Sequence, residues 1–419
     1  MVTPLSGGGS RTSTRTSRTG RTYPSEQGLG FRLSSKWPML SLETPALSGR
    51  KWVTDAVISQ GESLHEIAQI TVLHEVQRGS SSASGWSLDV TGALPEGTAV
   101  ALRFGDTLRS ETFYGYVTSV AVQEATHQPL APSVRVPVVY TCVGPTHHMQ
   151  SQVHRLWPSS TASYVARSVI SGAGLRAQVQ QSSRRFENLP QQASDFVFLR
   201  ALADEVGYRL IAAGTTVAVT DPLVSLREAG EDRPAFRYSK ALTDTVKTWK
   251  STAGQLDPLG GRRTRREGFS FNPATKALIR VVAADTQDST VTQYSSRPFA
   301  SQAEAADVLA AEARRDRLWV HAEATVRGDS RLCPGTEMDV DGSSLGPDDS
   351  GLWMVRSTMH RISVMPNRPE AGVFWTDVTL GRNRVGGLDF IPKGGMVRAV
   401  EPGTALIDGR WRARHVGRA

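Results

Sequence analysis

The chain has 419 residues, 39% of them hydrophobic and 21% charged, with two cysteines and a formal net charge of +8. Length and composition suit a globular protein of about two to four domains. They exclude a membrane span, since no apolar run is long enough, a secretory signal, since no hydrophobic stretch follows the basic N-terminal residues, and a disulfide framework or thiolate zinc site, since Cys142 and Cys333 stand alone.

Residues 1–50 hold seven Lys/Arg against two Glu in a Ser/Thr/Gly-rich context. Such a composition buries too little apolar surface to order itself, so a disordered basic arm is predicted there, solvated rather than devoted to nucleic acid. From Lys51 to Gln77 the apolar positions Val53, Val57, Ile58, Ile67, Ile70, Val72 and Val76 predict extended structure, and GSSSASG follows as a link. GTAVALRFGD, FYGYVTSVAV and VRVPVVYTC then predict three strands between Gly97 and Cys142. Residues 51–150 are expected to form one small β-barrel-like domain.

Residues 151–230 mix helix and strand. Ser160 or Thr161 caps a helix with Val165, Val169 and Ile170 on one face, closed by Gly172 and Gly174. SDFVFLRALADEVGYRLIAAGTTVAVTDP continues with a second helix: Ser194 as N-cap, Asp195 in the first turn, and Leu199, Leu202, Ala203 and Val206 on the buried face. Gly207 ends it, and two strands turn around Gly214. A helix laid against a hairpin is predicted, as a packing block.

In residues 231–386, LGGRRTRREG reads as an exposed basic loop. Ser301-Gln302-Ala303-Glu304 is a capping box that starts an Ala-rich helix over about 301–315. WVHAEATV, GTEMDVDG, GLWMVRSTMHRISV and GVFWTDVTL predict further strands, hence a second β-barrel-like domain. Residues 387–419, with six Lys/Arg against three acidic residues, form a basic C-terminal extension. The two ends account for the whole charge excess, leaving residues 51–386 formally neutral.

The two β regions echo each other at an offset of 238 residues. Gly97-Thr98 recurs as Gly335-Thr336, Val100 meets Met338, Leu102 meets Val340, Val117 meets Val355, Ser119 meets Ser357 and Thr141 meets Thr379. The fold class is therefore mixed and mainly β: two similar small β-barrel-like domains, an α+β segment between them and a helix in the second half. As a trimer, such a chain offers six similar surfaces to a six-fold partner.

Residues that invite chemistry have plainer readings. His65-Glu66 and His74-Glu75 begin like a zinc-protease motif, but the second histidine is replaced by Gln69 and Arg78. His147-His148 are adjacent, so on a strand they diverge, and a solvated loop is expected. His360 reads as a half-buried strand histidine. Asp339, Asp341, Asp348 and Asp349 surround a polar hairpin turn and do not follow a calcium-loop pattern. No catalytic, cofactor-binding or metal-ligating residue is singled out, and no cofactor is expected.

GTAVALRFGD, FYGYVTSV, VYTCVGPTHHM, a short capped helix and ASDFVFLRALADEVGYRLI, in that order, resemble the late control protein D family of phage tails. The same scaffold forms the hub part of the valine-glycine repeat proteins of type VI secretion. The likeness runs from Val53 to Arg384 and includes Pro334-Gly335 and LWMVRSTMHRI. It implies a non-enzymatic homotrimer whose paired barrels form a pseudo-hexameric ring. That ring would join a six-fold tail tube or distal tail protein to a separate three-fold spike or tip protein, with a channel for the tape measure protein and for DNA in transit. Synthesis in a bacterial cytoplasm, no membrane insertion and a place in the virion tail go with this expectation. The alternatives are a tail-associated peptidoglycan hydrolase, the hub of a DNA-free contractile injection system, and a nucleic-acid-binding protein working through its arms.

Overall fold

The computed structural model describes residues 37–44, 52–77, 94–123, 133–228, 237–239, 246–251, 264–272, 275–282, 291–295, 297, 299–341, 349–365, 367–383, 396–398, 404–407 and 409–413. The link at residues 79–85 and most of the two basic ends lie outside them. β1 (Pro38–Glu43), β2 (Trp52–Gly61), β3 (Ile67–Gln77), β4 (Ala99–Asp106), β5 (Ser110–Val122) and β6 (Ser133–Val143) are hydrogen-bonded in the order β1-β4-β5-β6-β3-β2, antiparallel throughout. Alternation makes these strands: Val100, Leu102 and Phe104 on β4 turn inward with Ile58, Ile70, Val138 and Tyr140, all fully buried. Each such aliphatic side chain contributes about 1.5–3 kcal/mol of burial energy. β1 lies against β2, so the sheet curls over this core.

The next segment holds β7 (Arg155–Thr161), α1 (Ala162–Gly172), β8 (Arg176–Val179), β9 (Arg185–Gln191), α2 (Asp195–Glu205), β10 (Arg209–Ala213) and β11 (Thr216–Thr220). β7 and β9 form a ribbon, and β10-β11-β8 a three-stranded sheet. The caps form where expected: Thr161 Oγ1 accepts from the Tyr164 N–H at 3.3 Å and Ser194 Oγ from the Val197 N–H at 3.4 Å. Val165, Val169 and Ile170 of α1 and Leu199, Leu202 and Ala203 of α2 pack with Leu210, Val217 and Val219 in one core.

The second half contains β12 (Leu226–Glu228), β13 (Arg237–Ser239), β14 (Val246–Ser251), β15 (Thr264–Asn272), β16 (Ala277–Val282), β17 (Val291–Ser295), α3 (Gln302–Arg315), β18 (Val320–Arg327), β19 (Glu337–Asp341), β20 (Gly351–Ser363) and β21 (Val373–Arg382). β22 (Met396–Arg398), β23 (Thr404–Ile407) and β24 (Arg410–Ala413) follow. β20-β21-β18-β14 continue the main sheet through β2, and β19 joins β13 to β20, giving 12 strands in one sheet. Among the described residues this ladder does not close into a barrel. A second core lies under it, built from Val320, Val326, Met338, Val340, Trp353, Val355 and Leu380. The Arg382 guanidinium sits over the Trp353 ring, 3.9 Å from its centroid.

The offset of 238 is written into the hydrogen bonding. Ala99 faces Tyr116 across β4–β5, and Glu337 faces Met354 across β19–β20. A bulge between Val117 and Ser119 in β5 reappears between Val355 and Ser357 in β20. The entry turns match too. The Gly97 N–H donates to Val117 O at 2.7 Å, and the Gly335 N–H to Val355 O at 2.8 Å. Thr98 Oγ1 donates to Pro95 O at 2.6 Å, and Thr336 Oγ1 to Cys333 O at 2.7 Å. β2 and β14, the last strands of the two ladders, share a further bulge, between Val53 and Asp55 and between Val246 and Thr248. β4-β5-β6-β3-β2 and β19-β20-β21-β18-β14 are one ladder built twice.

The structure departs from the sequence reading in places. Thr264–Gly268 of the expected basic loop begin β15, where Arg266 is buried and paired with Glu312 and Asp316 of the α3 region. The side chain of Arg266 finds carboxylates some 50 residues away in sequence, which local composition cannot reveal. β1 falls within the stretch read as the basic arm, and β22–β24 within the C-terminal extension. Trp411 anchors β24 on the first unit, its Nε1 donating to Gly115 O at 3.2 Å and its ring edge on Tyr114. At α3, Ser301 Oγ accepts from the Glu304 N–H at 3.1 Å, while Glu304 Oε2 accepts from the Ala300 N–H at 2.8 Å.

Candidate functional site

The residues that invite chemistry are dispersed. His65 opens the turn into β3, its ring stacked on Phe196 at 3.7 Å and its Nδ1 2.8 Å from Thr146 Oγ1. Burial, with His147 and Arg200 adding, presses its pKa down to about 4. His74 is buried on β3, with Nε2 2.9 Å from Tyr140 Oη. His147 and His148 do not occupy a solvated loop: they sit half-buried in a 3-10 turn, Pro145–Gln150, and His148 meets the Tyr116 ring edge-on. Gly144 and Pro145 start this turn, a local signal that the strand reading passed over. His360 is fully rather than half buried, with Nδ1 2.9 Å from Thr376 Oγ1 and Nε2 2.9 Å from Leu332 O. Both partners come from sequence-distant strands and loops. Asp339 and Asp341 lie on β19 and Asp349 just before β20, while Asp348 is outside the described residues. Among the described residues, no three His, Cys, Asp or Glu side chains converge as a metal ion requires.

What the fold does bring together is a junction. The loop between β2 and β3 ties the α+β segment to the sheet. Glu62 bridges Arg209 at 3.2 Å and Arg356 at 3.0 Å, and Arg209, buried, also donates to Val224 O at 2.6 Å. Desolvation lowers the pKa of Arg209, and Glu62 opposes that shift. Buried Glu66 accepts from the Gly214 N–H at 2.7 Å, which pins the β10–β11 turn, and the Ser63 N–H donates to Leu210 O at 2.7 Å. Where α2 meets the α3 region, Arg297 pairs with Glu205 at 2.6 Å and Arg184 with Glu304 at 3.1 Å. Gly207, at φ +70°, lets α2 end against α3, because a Cβ there would lie 2.2 Å from Ala311 O. The arrangement locks three cores into one block. Sequence reasoning missed the junction because Glu62, Arg209 and Arg356 stand in three unrelated stretches.

The second feature is a shallow groove of about 740 Å³ across the outer face of β2, β20, β21, β18 and β14, lined by Gln60, Met359, Asp377, Thr325, Thr248 and Lys250 among others. Its exposed lining is mostly apolar, with Leu64, Ile67 and Trp249 contributing, and Glu323, Asp377 and Lys250 bring both signs of charge to it.

No protein-family model matches the chain, and no curated protein matches it significantly. Solved structures do. The 43 kDa tail protein of prophage MuSo2 from Shewanella oneidensis superposes with a TM-score of 0.53 at 13% identity, covering 82% of this chain and 98% of that one. A tail protein from Neisseria meningitidis MC58 gives 0.54 at 10% identity, covering 84% and 98%. An Escherichia coli component of the type VI secretion system, described as structurally similar to bacteriophage T4 tail proteins, gives 0.51 at 12% identity, covering 87% and 82%. Identities this low carry the fold and no residue roles, and the coverage extends over nearly the whole of each tail protein. This chain has the fold of those tail proteins, as its resemblance to the tail-hub family led one to expect.

Proposed function

We propose that the chain is a structural hub of a phage or phage-like tail. Three copies form a ring of six similar units that joins a six-fold tube to a three-fold tip or spike, with a channel for the tape measure protein and DNA. Residues 51–150 and 231–386 supply the two units of each copy, and residues 151–230 the block between them. The observation that supports this most is the ladder built twice at a constant offset within one sheet. A chain with two equivalent units resolves a mismatch of six against three without any change of conformation. Its work is assembly, and its obligate contact should be large and partly apolar. The junction of Glu62, Arg209 and Arg356 keeps the two units of a copy in fixed relation, as a symmetry adaptor needs.

The similarity to an E. coli component of the type VI secretion system supports a second setting for the same function, the hub of a DNA-free injection device. Light scattering of the purified chain separates assembly from a monomeric role. The expected mass is about 136 kDa, three times the 45.4 kDa chain, persisting on dilution. A stable single-chain mass would remove the obligate trimer.

A further inference from the structure

Among the described residues, the two units are hydrogen-bonded strand to strand through β2 and β20. β19 covers only Gly351–Met354 of β20, and past Val355 its place is taken by β2, antiparallel, with Gly61 opposite Ser357 and Asp55 opposite Ser363. The seam is closely packed. Ile58 and His360 face each other across it, and both are 0% exposed.

Among the described residues, the chain carries the two halves of a second such seam, unjoined. On β5, pairing with β4 ends at Tyr116, and the turn residues Gly97 and Thr98 bond only as far as Val117. Beyond that point, no strand among the described residues lies on this edge of β5. β14 ends the main sheet, with β18 on one side and no strand among the described residues on the other. These two edges are the counterparts of β20 and β2. At the offset of 238, His360 corresponds to Val122, which is 47% exposed where His360 is fully buried. The shared bulges carry Val53 onto Val246 and Asp55 onto Thr248, an offset of 193, so Ile58 corresponds to Ser251.

We infer that β14 of one copy pairs antiparallel with the open half of β5 of the next copy, in the register that sets Ser251 opposite Val122 and Lys250 opposite Gln123. This contact repeats between chains the seam that β2 and β20 make within a chain. The occupant is a second copy because each open edge finds its structural complement in the other unit of the same sequence. The two edges differ, so the contact is head-to-tail and must close into a ring or run on as a filament. It also covers two exposed sheet edges, which otherwise template uncontrolled pairing. Closure at three copies rests on the hub reading; the register rests on the bulges alone.

Paired cysteines test the register. In Ser251→Cys/Val122→Cys, the two thiols of adjoining copies face each other at the spacing of cross-strand neighbours. Cys142 and Cys333 are buried and form no disulfide, so they leave the readout clean. Mild oxidation should shift the double variant, on a non-reducing gel, from one-chain to two- and three-chain bands. Lys250→Cys/Val122→Cys, whose side chains project to opposite faces of the joined sheet, should stay at one chain, as should each single variant. A native trimer whose Ser251→Cys/Val122→Cys form does not cross-link, or whose Lys250→Cys/Val122→Cys form cross-links equally well, overturns the pairing and leaves the hub standing. A native mass of one chain for the unmodified protein overturns both.

Discussion

Gly97 and Gly335 occupy the same turn of the two ladders and separate two physical effects that are usually entangled. Both have positive φ, +83° and +91°, and both donate to the strand behind them. Among the described residues, a Cβ at Gly97 meets nothing within 4 Å, whereas at Gly335 it would lie 2.7 Å from Leu226 Cδ1 and 2.9 Å from Ile211 Cδ1. Gly97→Ala therefore carries only the strain of an L-residue in the left-handed region, about 1–2 kcal/mol. Gly335→Ala carries that strain plus the cost of overpacking, about 1–3 kcal/mol more. Equilibrium urea unfolding of both variants, at one protein concentration so that assembly does not shift the comparison, reads the difference directly. Gly335→Ala should be the less stable by about 1–3 kcal/mol. Equal losses would mean that Ile211 and Leu226 do not pack on the second unit as described, and with them the seating of the α+β segment would fall.

The junction and the histidines give further expectations. Glu62→Ala leaves the buried guanidinium of Arg209 without its carboxylate and should cost about 3–5 kcal/mol, read by thermal or urea unfolding; a loss below about 1 kcal/mol would show the pair to be no more than a surface contact. His65 has a folded-state pKa of about 4, below its ordinary 6.5, so the unfolded chain takes up the proton first. Its contribution to stability is present above pH 6.5 and is lost as the pH falls from there toward 4. The urea midpoint of His65→Phe should change less across that window than the parent's, and equal slopes would refute the assignment. Zymograms against bacterial cell walls should stay uncleared; a cleared band that follows the purified chain would favour the hydrolase reading.

Much of this fold is legible in sequence because much of it is local. Thr161, Ser194 and Ser301 cap helices within three residues of themselves, and the alternation in GTAVALRFGD needs no partner to be read. The repeat was legible for a different reason: both copies keep the turn and the bulge, and insertions between β4 and β6 or between β19 and β21 would have destroyed the constant offset. What sequence could not give is pairing at a distance. β2 meets β20 across some 300 residues, Glu62 finds Arg209 and Arg356, and His360 finds Thr376 and the carbonyl of Leu332. Each side chain is ordinary in its own stretch, and only the assembled fold gives it a partner. β1, the β7–β9 ribbon and the β15–β16–β17 sheet escaped for the same reason, since short strands without clean alternation are defined by their neighbours.

Electron microscopy of the purified chain tests the central claim most directly. Class averages viewed down the axis should show a ring of six lobes around an open centre, with three-fold order when the two kinds of unit are resolved. Particles the size of one chain, or two-fold dimers without a hole, would contradict the hub.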